Sequence, residues 1–239
     1  MASVTEAIIL NSIKYSETSV IMKCYSQNYG ILSFIIKGVR SIKRTKFSLG
    51  YTEPLSIVEI EFSRLKKGEL SHLKNIKSVV IYDDLRFNII KTNIALFLAE
   101  FLSSVLRFQE ENPSLYQYIK DSLVTLDKIS KYENFHINFL INLLKFLGIK
   151  PEANNENCKF FDIENGIFKT INDSRYCVGG ELVIEFKKLL GINFDQYFEI
   201  LKTTNQRRNM TNFLMNYYKY HISGFKRPNS LEILNGLFS

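Results

Sequence analysis

Through the first 80 residues apolar and polar side chains alternate in short runs, the period of a half-buried β-strand. Residues 6–13, 19–26 and 30–37 each read as a strand, with turns at Tyr15-Ser-Glu and Ser26-Gln-Asn-Tyr-Gly30 between them. The third alternates most cleanly: Leu32, Phe34 and Ile36 share one face, Ser33 and Lys37 the other. Residues 54–63 set Val58, Ile60 and Phe62 against Glu59 and Glu61, and a fifth strand is predicted over about 70–82. Five short antiparallel strands with one long connection after the third are the pattern of a small closed barrel of OB type, in which closure removes the exposed sheet edges.

After Asp83-Asp84 the period changes. Leu85, Ile89, Ile90, Ile94, Phe97, Phe101, Leu102 and Val105 recur every third or fourth position and predict one helix over about 85–108. Asn112-Pro113-Ser114 opens a second, with Pro at its first position. Residues 135–147 are apolar on nearly every side, which predicts a central buried helix ended by Gly148. A polar, glycine-bearing stretch follows, with β-like pieces at 159–163 and 167–171, and helices are expected over 181–190, 195–201, 204–222 and 230–238. The plan is α+β and multidomain: a barrel over 1–82, then a mostly helical domain over 83–239 with an insertion at about 151–178.

Of the 239 residues 46% are hydrophobic and 23% charged, the proportions of a globular protein that folds on its own. The N-terminus has no basic region ahead of its short apolar run, and no stretch approaches the roughly 18 apolar residues of a membrane span. A cytoplasmic, nucleoid-associated protein with no membrane partner is expected. Cys24, Cys158 and Cys177 are too few and too far apart for a disulfide framework.

Charge sharpens the picture. Residues 1–80 carry twelve Lys or Arg against six Asp or Glu, and residues 81–239 carry nineteen against eighteen, so six of the seven excess positive charges sit in the first third. They concentrate in two connections. Between Ser33 and Lys46 the chain places Lys37, Arg40, Lys43, Arg44 and Lys46 with no carboxylate among them, and Arg64-Leu-Lys-Lys-Gly68 adds Arg64, Lys66 and Lys67. Cations gathered at a barrel mouth attract polyanions and track a phosphate backbone without reading its sequence. On the second strand Met22 and Cys24 point inward, leaving Lys23 and Tyr25 outward; Tyr25 then offers a base-stacking surface or packs against the helical domain.

A second patch lies near the C-terminus. From Ile200 to Leu231 there are six basic residues and no acidic one. Helical spacing puts Met210, Phe213, Leu214, Tyr217 and His221 on one side of residues 204–222, with Arg208, Asn212 and Lys219 opposite. Arg207, Arg208, Lys219, Lys226 and Arg227 form a candidate surface for DNA or an acidic partner, or a merely solvated helix face.

Enzymatic readings fare poorly. There is no glycine-rich phosphate cradle, Gly179-Gly180 reads as a loop before a helix, and Asp83-Asp84 and Glu110-Glu111 read as helix-start charge. His136 reads as a core histidine and Cys24 as inward packing, so no catalytic constellation emerges.

The runs Tyr15-Ser-Glu-Thr-Ser-Val-Ile-Met-Lys-Cys-Tyr25, Tyr29-Gly-Ile-Leu-Ser-Phe-Ile-Ile-Lys-Gly-Val-Arg40 and Glu53-Pro-Leu-Ser-Ile-Val-Glu59 resemble the N-terminal half of bacterial RecO recombination mediators. Lys226-Arg-Pro-Asn-Ser-Leu-Glu-Ile-Leu234 is similar to that family's final segment. The resemblance implies an OB barrel, a helical domain with a zinc-ribbon-like insertion, binding and annealing of single- and double-stranded DNA, and partnership with RecR and single-strand-binding protein. It also implies that Lys37, Arg40, Lys43, Arg44 and Lys46 contact DNA. The chain departs from it at the insertion, where Cys158-Lys-Phe-Phe161 and Cys177-Val-Gly-Gly180 keep one cysteine each; two thiolates cannot close a four-ligand zinc site. No metal or other cofactor is expected, and Phe160, Phe161, Ile163 and Phe168 are expected to hold the insertion. The function expected is a non-enzymatic DNA-annealing mediator of repair and recombination, with a protein-interaction scaffold as the alternative.

Overall fold

Five strands, β1 (Ala2–Lys14), β2 (Val20–Ser26), β3 (Gly30–Ile36), β4 (Ile57–Ser63) and β5 (Ser71–Ser78), make up the N-terminal sheet of the computed structural model, which describes residues 2–39, 47, 49–63, 71–107, 110–152, 157–191 and 200–237. The long β1 is used twice. Its first half pairs with β4, from Ala2 opposite Ser63 to Ile8 opposite Ile57, and its second half pairs with β2, from Ala7 opposite Ser26 to Lys14 opposite Val20, with a bulge between Ile9 and Asn11. The strands close in the order β1-β2-β3-β5-β4.

The expectation of purely antiparallel strands needs one correction. β3 and β5 run parallel, with Phe34 opposite Ser71 and Ile35 opposite His72. The reason is arithmetic: in a ring with an odd number of strands, directions cannot alternate all the way round, so one neighbouring pair must run the same way.

Inside the ring the period-two pattern is filled as the sequence predicts. Ala7, Ile9, Val20, Met22, Cys24, Phe34, Ile36, Val58, Ile60, Phe62 and Ile76 form one buried cluster, each large side chain removed from water contributing about 1.5–3 kcal/mol. β4 starts at Ile57 rather than near 54 because the chain first makes a 3-10 turn at Leu49–Thr52 and then takes Leu55 to φ 59. Fully buried Leu55 holds that left-handed conformation with its N–H on the Ile9 carbonyl (2.7 Å) and its carbonyl under the Tyr82 hydroxyl (2.8 Å).

The first compact unit comprises residues 1–128 with 228–230, and so takes in α1 (Ile89–Val105) and α2 (Pro113–Lys128). α1 begins later than its apolar rhythm predicts because the Asn88 side chain caps it, accepting from the Ile90 and Lys91 N–H groups at 3.0 and 3.2 Å. The preceding turn is fixed from elsewhere: the Asp127 carboxylate accepts from the N–H groups of Asp83, Asp84 and Leu85 at 3.1, 3.0 and 2.8 Å. Asn112 caps α2 through the Leu115 N–H (2.9 Å).

The second unit holds residues 129–227 and 231–239. Its elements are α3 (Phe135–Phe146), the short strands β6 (Phe160–Asp162), β7 (Ile167–Lys169) and β8 (Cys177–Gly179), α4 (Glu181–Gly191), α5 (Thr204–His221) and α6, which begins at Ser230 and runs to Leu237. α3 is buried along most of its length, as its apolar composition demands, and Gly148 follows it at φ 70. The three strands form a sheet in the order β7-β6-β8. Phe161 anchors that sheet, its ring meeting those of Phe168, Phe186, Phe213 and Tyr217 with centroids 4.8–5.7 Å away. The helix expected over 195–201 falls largely outside the described residues. No described helix is long and apolar enough to cross a membrane.

Candidate nucleic-acid interface

The outward face of β2 decides between the two readings of Tyr25. Tyr25 does alternate out of the barrel, but it is fully buried: its hydroxyl donates to the Asn112 carbonyl (3.4 Å) and its ring lies 6.4 Å from that of Tyr116 in α2. Burial pushes its hydroxyl pKa up to about 12. No face of Tyr25 is open to a base; the side chain packs against a helix instead of stacking. Lys23 is half-buried on the same face, its ammonium donating to the Ser103 carbonyl near the end of α1 (3.3 Å). Burial first, and the charge of Arg107 second, hold its pKa below the ordinary value. On the neighbouring strand the Glu6 carboxylate takes Lys120 at 2.6 Å and the Tyr116 hydroxyl at 3.3 Å. Polar contacts from α1 and α2 thus occupy this side of the barrel.

The seam between β3 and β5 is different. The parallel register sets Ile36, the last residue of β3, only two positions beyond the residue opposite Ser71, the first of β5. The two cation-rich connections therefore attach to neighbouring strands within two positions of each other, one running out of β3 and the other running into β5. The residues within them, Arg40, Lys43, Arg44 and Lys46 on one and Arg64, Lys66 and Lys67 on the other, lie outside the described residues. Lys37, at the exit of β3, is exposed.

The same rim carries an aromatic that pattern reading passes over. Lys14 pairs with Val20, and Val20 with Ile36, so the β1–β2 turn stands two strands from the exit of β3, about 10 Å at ordinary strand spacing. Tyr15 begins that turn with 62% of its surface exposed, beside exposed Lys14 and with Glu17 in the same turn. The signal was its position: an aromatic at the head of a tight turn has no strand neighbour to bury it.

In the second unit the five candidate cations separate into two kinds. Arg207 donates to the carbonyls of Leu201 and Lys202 (both 3.3 Å) and to the Thr204 hydroxyl (3.3 Å). Arg208 donates to the Asn235 carbonyl in the last turn of α6 (3.2 Å). Both are half-buried and engaged with backbone, so neither belongs to an open patch; helix periodicity alone had put Arg208 on the solvent side. Lys219, Lys226 and Arg227 are exposed, Arg227 donating to the Asn212 side chain.

Groups with catalytic potential are placed for packing. Cys24 is fully buried in the barrel, its thiol pKa pushed up to about 12 by burial. His136 is buried with Nε2 3.1 Å from the Thr211 hydroxyl, and burial, reinforced by the charge of Arg207, holds its pKa down to about 3. Cys158 is buried, whereas Cys177 is half-exposed with its thiol toward Asp173 (3.7 Å). Among the described residues no cluster of three or more His, Cys, Asp or Glu side chains is arranged to hold a metal ion.

A closed five-stranded sheet, two of whose connections are cation-rich in sequence, followed by a helical unit, defines a two-part α+β protein. Comparison with known proteins gives the class its family. Residues 1–82 match the family described as Recombination protein O N terminal, and residues 86–231 match Recombination protein O C terminal. The chain is 34% identical over 234 residues to the DNA repair protein RecO of Christiangramia forsetii and 32% identical over 235 residues to that of Flavobacterium psychrophilum, each alignment covering 98% of both chains. It is 31% identical over 244 residues to the DNA repair protein RecO of Phocaeicola vulgatus, covering 100% of both. This chain belongs to the RecO family of DNA repair and recombination proteins.

Proposed function

We propose that the N-terminal unit is an OB-type DNA-binding barrel, and that the protein anneals complementary strands as a non-catalytic mediator of repair and recombination. The observation that carries this reading is the β3–β5 seam. One parallel pairing sets the exit of β3, where one connection begins, two positions from the start of β5, where the other ends, and together these connections hold seven Lys and Arg in addition to Lys37. Cations gathered there neutralise phosphates on two strands at once, lowering the mutual repulsion that opposes pairing. Exposed Tyr15 and Lys14 at the same rim supply a stacking surface and a further charge. Family membership supports the repair setting. Cooperation with a RecR-type partner, and action on DNA coated by single-strand-binding protein, belong to this same reading.

The test is annealing of complementary oligonucleotides by the purified chain, paired with the salt dependence of single-strand binding. Replacing Arg40, Lys43 and Arg44 together by Ala removes three phosphate contacts and flattens the log–log salt slope by about 2, with slower annealing. An unchanged slope removes this connection from the site. No acceleration of annealing by the wild-type chain overturns the mediator reading and favours an interaction scaffold.

A further inference from the structure

The outer face of α5 has a composition that its packing does not explain. Asn205, Asn209, Asn212 and Asn216 recur at helical spacing and form a half-exposed to exposed stripe, continued by Lys219 and Tyr220. At 100° per residue these six positions fall within about 100° of the helix surface and extend over about 22 Å. Asparagine is among the weaker helix formers because its side chain competes for backbone hydrogen bonds. On the buried side of α5, by contrast, the residues pack: Met210, Phe213, Leu214 and Tyr217 are at most 4% exposed. Amides that each offer two donors and one acceptor suit a polar ligand studded with oxygen atoms.

The end of the stripe adds charge and an aromatic platform. Tyr220 is 47% exposed, its ring 5.6 Å from that of Tyr176 and nearly perpendicular to it, and the Arg175 guanidinium lies 4.7 Å over the Tyr176 ring. Arg227 reaches Asn212 from the following loop. The nearby carboxylates already have partners. Glu181 accepts from Gln206 (3.3 Å), Asp173 holds Lys169 (2.8 Å), and Glu164 faces Arg175. From Ile200 to Leu231 there is no acidic residue at all.

We infer that this face of the second unit is a single-stranded DNA track separate from the barrel, with the asparagine amides and Lys219 on phosphate and sugar oxygens and an unpaired base stacked on Tyr220. The inference rests on the DNA-binding reading given above and adds a second site to it. A single strand fits better than a duplex because only an unpaired base presents a face to the tyrosine ring. Few cations take part, so this contact is less sensitive to salt than the barrel seam.

Fluorescence anisotropy of a labelled oligothymidylate with the full chain tests it, using Tyr220→Ala, Tyr220→Phe and Lys219→Ala, with circular dichroism confirming that these surface variants stay folded. Tyr220→Ala weakens binding by about 5- to 150-fold, the value of one stacked base. Tyr220→Phe keeps the ring and stays within about twofold of wild type, and binding to blunt duplex is nearly unchanged in both. If the wild-type chain binds and Tyr220→Ala and Lys219→Ala bind equally well, this track is overturned while the barrel reading stands. If the wild-type chain binds no DNA, both fall. If Tyr220→Ala loses a glutamate-rich peptide but not oligothymidylate, the face is a protein site and the inference is wrong.

Discussion

Tyr25 and Tyr15 differ in what covers them, which strand alternation does not report. Alternation tells which way a side chain leaves the sheet, and it places Tyr25 outside the barrel correctly; it says nothing of what stands opposite, and Tyr116 and Asn112 stand there. Tyr15, at the head of a turn, has no such cover. Buried titratable groups give two further tests. His136 is held neutral in the folded chain, with its pKa at about 3 against 6.5 when unfolded, so below pH 6.5 the unfolded state binds more protons. Its contribution is present above pH 6.5 and is lost as the pH falls toward 3: urea titrations show a loss of about 1 kcal/mol between pH 7 and 5.5, absent in His136→Gln. Asp127 behaves as a paired acid. Burial alone would raise its pKa, but three backbone N–H donors and the charge of Lys91 outweigh that and hold it below 3.8. Its stabilisation is present above that value and lost as the pH falls through the lower folded pKa. Asp127→Ala leaves three donors without their acceptor and destabilises by about 3 kcal/mol, measured as a lower urea midpoint at pH 7.

Strands β1 to β5 and helices α1 to α6 follow their hydrophobic periods closely, because the side that must leave water is written in the spacing. Their ends were less legible. α1 starts at Ile89 instead of near 85 because Asp127, about 40 positions away, takes the N–H groups of Asp83, Asp84 and Leu85, while Asn88 caps the helix on those of Ile90 and Lys91. β8 is only three residues long and has no period to detect; it exists because β6 offers it an edge, Asp162 pairing with Cys177. The insertion hangs on Phe161, one of the four residues that the sequence put forward for it. Phe161→Ala costs about 3–5 kcal/mol, seen as a lower denaturation midpoint with an unchanged slope. The exposed residues Lys219 and Tyr220 tolerate Ala with little change.

For the whole molecule, a net charge of +7 with six of the seven excess charges in residues 1–80 makes the barrel end an attractor for polyanions. Five or six phosphate contacts on a single strand give a log–log salt slope of about −4, so raising NaCl from 50 to 200 mM weakens binding by roughly two hundredfold. A flat titration would show that these cations are neutralised within the protein. The chain by itself determined most of the segments that form strands and helices, where positive charge accumulates, and which family it joins, since periodicity, charge and motif are properties of order along a polymer. Tertiary structure alone decided that β3 runs parallel to β5, that Tyr25 and Lys23 are covered, that Arg208 is engaged with the Asn235 carbonyl, and that Tyr176 and Tyr220 meet. Each of those outcomes depends on residues far apart in sequence coming within a few ångströms, and no local pattern encodes that distance.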